Sequence, residues 1–330
     1  MSHLTMSRRD SVRTLLSLLL LPAALSCSSQ REPLSVSAHP WPGYALMFLA
    51  AGEGWIGSDA VRLVETASAT ESMQRLTAGE IDAAALTLDE TLSLLAQGLR
   101  LQVVLVFNLS SGADALVAKP HVADLRALAG KRVGVENTAV GALMLQSALN
   151  SVALKPQDVQ VVPMTVDQHL AAWERDEVDA VVSFEPVVGM LLAAHGQMLF
   201  DSTALPDTII DVLAVTERAL EDAHKRRALQ ALVKGHFLAL HHLRSNPADA
   251  AYRLAPRLGE SGPNALRSFR GLLLPDEHEN GHLLRRNGRL LEVADSLSRL
   301  MFEWGHLERR PALDHLVDDR LLPRPEALSR

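Results

Sequence analysis

The stretch SATESMQRLTAGEIDAAALTLDETLSLLAQGLRLQVVLVF, residues 68–107, decides the fold class. Residues 68–79 space their apolar side chains as a helix does and close on Gly79. Residues 81–86 are a short apolar run, 88–97 are again helical, and 101–107 are a continuous apolar run. Both helices open with a capping box, Ser68-Ala69-Thr70-Glu71 and Thr87-Leu88-Asp89-Glu90, whose side-chain oxygens accept the free N–H groups of the first turn. Gly at the far end suits a left-handed C-cap. Strands alternating with helices of this length imply βαβ units and largely parallel sheets.

The pattern extends outward in both directions. Upstream, strands are expected over 34–38 and 60–65 and a helix over 45–52. Downstream, a second block begins near residue 116. It has strands expected over 131–135, 159–163, 178–182, 198–200 and 209–215, and helices over 124–129, 139–152, 166–175 and 186–195. Beyond 216 the apolar spacing is helical throughout, over 217–244, 247–255, 263–272 and 289–304, with no clear strand. No internal repeat or low-complexity segment interrupts it.

Composition sets the outer limits. The 330 residues carry a formal charge of −7, with 48% hydrophobic and 22% charged residues, which fits a globular chain of about two domains. The acidic balance argues against a nucleic-acid partner. The single cysteine, Cys27, excludes an intrachain disulfide and any cysteine-based zinc cluster.

Ser7-Arg8-Arg9-Asp10-Ser11-Val12-Arg13 is basic, residues 14–25 are apolar but too short to span a bilayer, and Ala24-Leu25-Ser26-Cys27 follows. This resembles a bacterial lipoprotein signal over residues 1–27, with Cys27 as the lipidation site. Ala24 stands where that pattern usually has Leu. The Arg pair also resembles the twin-arginine export pattern, although Ser11 replaces its aromatic. A periplasmic protein held to a membrane by a lipid anchor is the expectation, by the general secretory or the twin-arginine route.

Three further stretches carry a second resemblance. They are Trp41-Pro42-Gly43-Tyr44, Leu76-Thr77-Ala78-Gly79-Glu80-Ile81-Asp82-Ala83, and Gly130-Lys131-Arg132-Val133-Gly134-Val135 with Val178-Asp179-Ala180-Val181-Val182-Ser183-Phe184-Glu185-Pro186. In this order and spacing, over residues 33–245, the chain resembles the solute-binding proteins of ABC importers, in the nitrate/sulfonate/taurine and thiamine-precursor branch. The resemblance implies a type II periplasmic-binding-protein fold: two α/β lobes, each a mainly parallel sheet flanked by helices, with a ligand cleft between them. It implies lobe 1 over 33–115 plus 213–330 and lobe 2 over 116–212, crossings near 113–117 and 208–215, and a monomer. It also implies a small-molecule ligand, a membrane permease as partner, and no cofactor, catalytic residue or metal. An enzymatic branch of the family carries a cysteine-rich motif, which this chain lacks. A ligand-sensing subunit for a membrane signalling protein is the alternative output.

In open sheets ligands sit beyond the carboxyl ends of parallel strands. That rule selects four loops. Trp41, Gly43 and Tyr44 offer a flat aromatic wall, or a packing pair. Thr87, Asp89 and Glu90 open a helix, Glu90 as cap or ligand contact and Asp89 as ligand contact or helix stabiliser. Asn137, Thr138 and Ala139 open another, able to hold an anion or simply to cap the helix. Glu185 precedes Pro186, to bind an amine or favour the helix dipole. Asp211, between Ile210 and Val212, is costly if buried without a partner, and an exposed strand face is its alternative. The carboxylates Asp89, Glu90, Glu185 and Asp211, with no Lys or Arg in these loops, favour a ligand bearing an amine or nitrogen heterocycle over a nitrate or sulfonate. His236, His241 and His242 have i, i+5 and i, i+6 spacing, so they are read as packing or solvated groups.

Overall fold

The computed structural model describes residues 32–136 and 139–323. The expected leader with Cys27 lies outside them, as do Asn137, Thr138 and the side chain of Ala139.

The first sheet is entered at β1 (Leu34–Ala38). A 3-10 turn at Pro42–Tyr44 runs into α1 (Ala45–Gly52). Then follow β2 (Val61–Glu65), α2 (Ala69–Thr77), β3 (Ala83–Thr87), α3 (Leu88–Ala96) and β4 (Leu101–Ser110). The chain then builds a second sheet with β5 (Asp114–Ala118), β6 (Arg132–Val135), α4 (Ala139–Asn150), β7 (Gln160–Pro163), α5 (Val166–Glu174), β8 (Ala180–Phe184), α6 (Val187–Ala193) and β9 (Gln197–Asp201). It returns to the first sheet as β10 (Ile210–Thr216). There follow α7 (Glu217–Glu221), α8 (Ala223–Ser245), α9 (Pro247–Leu258), α10 (Gly262–Ala265), β11 (Leu272–Leu273), α11 (Glu277–Leu283) and α12 (Arg289–Glu303).

The first sheet has the order β11-β4-β10-β3-β1-β2 and the second β7-β6-β8-β5-β9. β1 lies parallel between β2 and β3, and β6 parallel between β7 and β8. The strands that carry the chain between sheets run the other way. β10 is antiparallel to β3 and β4, and β5 to β8 and β9. Each sheet is therefore mixed where mainly parallel sheets were expected, because βαβ units account only for the strands that stay within one sheet. Central strands β1, β3 and β5 are buried along their whole length; β3 reads as an almost continuous apolar run, whereas β1 and β5 also bury Ser35, Ser37 and Asp114. β5 starts at Asp114 in the second sheet, and β10 starts at Ile210 in the first. The two links between the sheets touch: Ser110 N donates to Ile209 O at 2.9 Å and Gly112 N to Ser202 Oγ at 2.6 Å.

Two expectations for the C-terminal part change. The helix expected over 217–244 is two helices, because Asp222 accepts His224 N at 2.7 Å and Lys225 N at 3.1 Å and so caps a new start. The helix expected over 263–272 is a four-residue helix, a 3-10 turn at Leu266–Phe269 and the two-residue strand β11, which pairs with β4. Gly271, at φ 74°, turns the chain between them. Packing joins the sheets: one apolar cluster contains Leu88 and Val106, Leu116 and Val133, and Leu290 and Leu297 of α12.

Candidate functional site: an acid-lined cavity between the sheets

Parallel strands deliver their carboxyl ends to one edge of each sheet, and antiparallel strands deliver their starts to that same edge. His39 and Trp41 follow β1, Thr87 ends β3 and Glu90 follows it, Glu136 follows β6, and Phe184 ends β8. Asp211 pairs with Thr87, and Asp114 pairs with Phe184, so both acids arrive there from the crossing strands. These side chains, with His169 of α5 and the apolar Ala69, Val140, Val182 and Ile209, line a cavity. The cavity is narrow: about 30 Å³ admits the centre of a water molecule, within about 510 Å³ of non-atom space that includes the open mouth. No Lys or Arg is among the described residues that line it.

Rings and hydrogen bonds tie the two sides together. The Trp41 ring meets Phe184 edge-on at 5.2 Å between centroids, and His39 lies 5.7 Å from the same ring. Thr70 Oγ1 of α2 donates to Glu136 Oε1 at 2.7 Å, joining the first sheet's helix layer to the end of a second-sheet strand. Behind the wall, Trp41 Nε1 donates to Asn108 Oδ1 at 3.0 Å, and Asn108 Nδ2 donates to Asp211 Oδ2 at 2.7 Å. The Tyr44 hydroxyl is hydrogen-bonded to Asp211 Oδ1.

The expected candidates separate on this geometry. Trp41, Thr87, Glu90 and Asp211 line the cavity. Tyr44 is fully buried against His39 and Phe107, so it orients Asp211 and forms no wall. Gly43 lies under Asn108, where an added Cβ would stand 1.8 Å from Asn108 Oδ1. Glu90 Oε2 accepts Thr87 N at 2.9 Å, so it caps its helix while also facing the cavity. Asp89 is buried, with no partner on either carboxylate oxygen, and is not among the lining residues. Glu185 is half-buried, accepts Gly189 N at 3.1 Å and points elsewhere. Asn137 and Thr138 are outside the described residues.

Asp114 and His169 are lining residues that the four-loop rule does not select. Asp114 opens the apolar run Asp114–Ala118 just as Asp211 nearly opens Ile210–Thr216, and that parallel was the available signal. Away from this cavity, His278-Glu279-Asn280-Gly281-His282 has an H-E-x-x-H spacing that the sequence reading did not weigh.

Burial sets the protonation of the site. It pushes Asp89 up to about 6 and Asp114 up to about 7. Burial also holds Asp211 well above the usual carboxylate range, reinforced by the charge of Asp114. Glu90 is raised by burial and by the charge of Asp89. Glu136 is raised by burial, against the pull of its Thr70 hydrogen bonds. His39 falls to about 3, through burial and then the charge of Arg257, and burial takes His169 to about 4, so both rings are neutral near pH 7. The wall thus holds four acids that burial biases toward their neutral form, two neutral imidazoles and two aromatic rings.

Two helix-flanked mixed sheets around such a cavity make the two-lobed α/β periplasmic-binding-protein fold. A sequence profile described as the NMT1-like family matches residues 29–257, and the chain belongs to that family. The taurine-binding periplasmic protein of Escherichia coli K12 is 29% identical over 106 residues, 32% of this chain and 33% of that protein. The chain thus matches about a third of that relative's length. The alkanesulfonate-binding protein SsuA from Xanthomonas axonopodis pv. citri, bound to MOPS, superposes with a TM-score of 0.71 at 16% identity, over 85% of this chain and 96% of that one. The periplasmic aliphatic sulphonate-binding protein SsuA of Escherichia coli gives 0.65 at 18%, over 91% and 100%. Both likenesses concern the fold.

Proposed function

We propose that the protein is the extracytoplasmic solute-binding component of an ABC importer, and that it captures a small polar ligand with a positive, amine- or nitrogen-heterocycle-bearing part. The observation that carries the ligand class is the cavity wall: Glu90, Asp114, Glu136 and Asp211 face the cavity, with no Lys or Arg among the described lining residues. A cation placed there would draw these acids, which burial biases toward their neutral form, into the carboxylate form and pair with them, and would gain from the Trp41 and Phe184 rings, whereas an anion would find no positive side chain to pair with. The lobes, 33–115 plus 213–330 and 116–212 within a few residues, would close about the touching links near 110–113 and 202–209. In this reading the chain is exported, is anchored through Cys27, works as a monomer, and hands its ligand to a permease. It performs no covalent chemistry.

A sulfonate binder is the second reading, favoured by what the relatives are named for. A thermal-shift panel on the protein from Ser28 onward separates the two. A ligand well above its dissociation constant stabilises by a few kcal/mol through mass action. Stabilisation by amines or nitrogen heterocycles supports the first reading, and stabilisation by sulfonates alone supports the second.

A further inference from the structure

The H-E-x-x-H segment lies on α11, which is held firmly in place. Asn280 is fully buried, accepts Val106 N at 2.7 Å and donates to Val106 O at 3.1 Å, pinning the helix to the edge of β4. Asp276 Oδ1 accepts Glu279 N at 2.9 Å, and Glu279 Oε2 accepts Asp276 N at 2.8 Å, which closes a capping box. With Asn280 facing inward, His278 and His282 are both exposed, one turn apart. Their Nε2 atoms are 3.2 Å apart and their rings lie at 77°.

We propose that His278 and His282 chelate a divalent transition metal, of which zinc, nickel and copper suit imidazole ligands. A zinc ion about 2.0–2.1 Å from each nitrogen would see them at an angle of about 100–106°, near the tetrahedral value. Two imidazoles one helical turn apart are the arrangement that H-E-x-x-H supplies to metals. The hydrolytic half of that motif is missing here, because Glu279 is committed to the helix cap and is not free as a general base. Among the described residues no group of three or more His, Cys, Asp or Glu is placed to hold a metal, so water completes the coordination. The site is separate from the cavity and does not depend on what the cavity binds.

The test is calorimetric titration of Zn²⁺ into the tag-free protein from Ser28 onward, beside His278→Ala, His282→Ala and Glu279→Gln. Losing one of two ligands should cost more than the roughly 10–100-fold that loss of an outer-shell partner costs. Each histidine variant should therefore weaken the site by more than tenfold, and Glu279→Gln should keep it. Cu²⁺ should bind more tightly than Zn²⁺, with an electron paramagnetic resonance signal from two nitrogen ligands that both histidine variants lose. Absence of Zn²⁺ binding by the parent protein, or a histidine variant that binds Zn²⁺ as tightly as the parent, overturns the proposal.

Discussion

Asn108 accepts the Trp41 indole N–H at 3.0 Å and, through its own amide, donates to Asp211 at 2.7 Å. One fully buried side chain thus sets the orientation of the aromatic wall and of a cavity carboxylate together. Asn108→Leu would strand the Trp41 N–H and one Asp211 oxygen. Each buried group left without a partner costs about 1–3 kcal/mol. Chemical denaturation should show a loss in that range or above, and an unchanged midpoint would mean the relay contributes nothing.

Gly43 belongs to the same device. A Cβ there would stand 1.8 Å from Asn108 Oδ1, so Gly43→Ala should destabilise by about 1–3 kcal/mol through overpacking. In Gly43→Ala with Asn108→Ala the obstructing oxygen is gone. The double variant should lose less than the sum of the two singles, as residues in contact do. Strict additivity in a double-mutant cycle would separate the two positions.

Most of the fold was legible, and the reasons are local. The strand over 34–38 and the helix over 45–52 were readable to the residue, because β1 is buried on both faces and Gly52 ends α1. The pair Leu272–Leu273 was not readable, since two apolar residues carry no period. In the site, Trp41 and Tyr44 share one loop, yet the 3-10 turn at Pro42–Tyr44 sends Trp41 to the cavity and Tyr44 into the core. That rotation leaves no trace in spacing. Asp114 escaped notice because an antiparallel strand presents its start, not its end, to the ligand edge.

The acids should make ligand-free stability depend on pH. Asp114 rises from 3.8 to about 7 on folding, so between those values the unfolded chain has released a proton that the folded one keeps. Its contribution is present below pH 4 and is lost as pH rises toward 7. The buried histidines act oppositely, since His39 and His169 fall below 6.5 and cost stability in acid. The comparison with Asp114→Asn isolates the acid. Relative to that variant, the parent should lose roughly 1.4 kcal/mol per pH unit between pH 4 and 7. Parallel stability curves would mean that Asp114 ionises freely.

The Thr70–Glu136 hydrogen bond of 2.7 Å joins helix α2 of the first lobe to the end of β6 in the second. Thr70→Val removes it with little change of shape. Global stability should fall by only about 0.5–1.5 kcal/mol, the net worth of one hydrogen bond. The open form should gain population, seen as a larger radius of gyration in small-angle scattering of the ligand-free protein. An unchanged scattering profile would remove this contact from the control of closure.

On the proposed function, the cavity holds a positively charged solute. Native mass spectrometry of the protein from Ser28 onward, purified without denaturation and compared before and after ligand release in acid, addresses it most directly. A released small molecule bearing a basic amine or nitrogen heterocycle is the predicted result. A released sulfonate, nitrate or other anion without such a group would contradict it, and the wall acids would then keep the neutral form that burial favours.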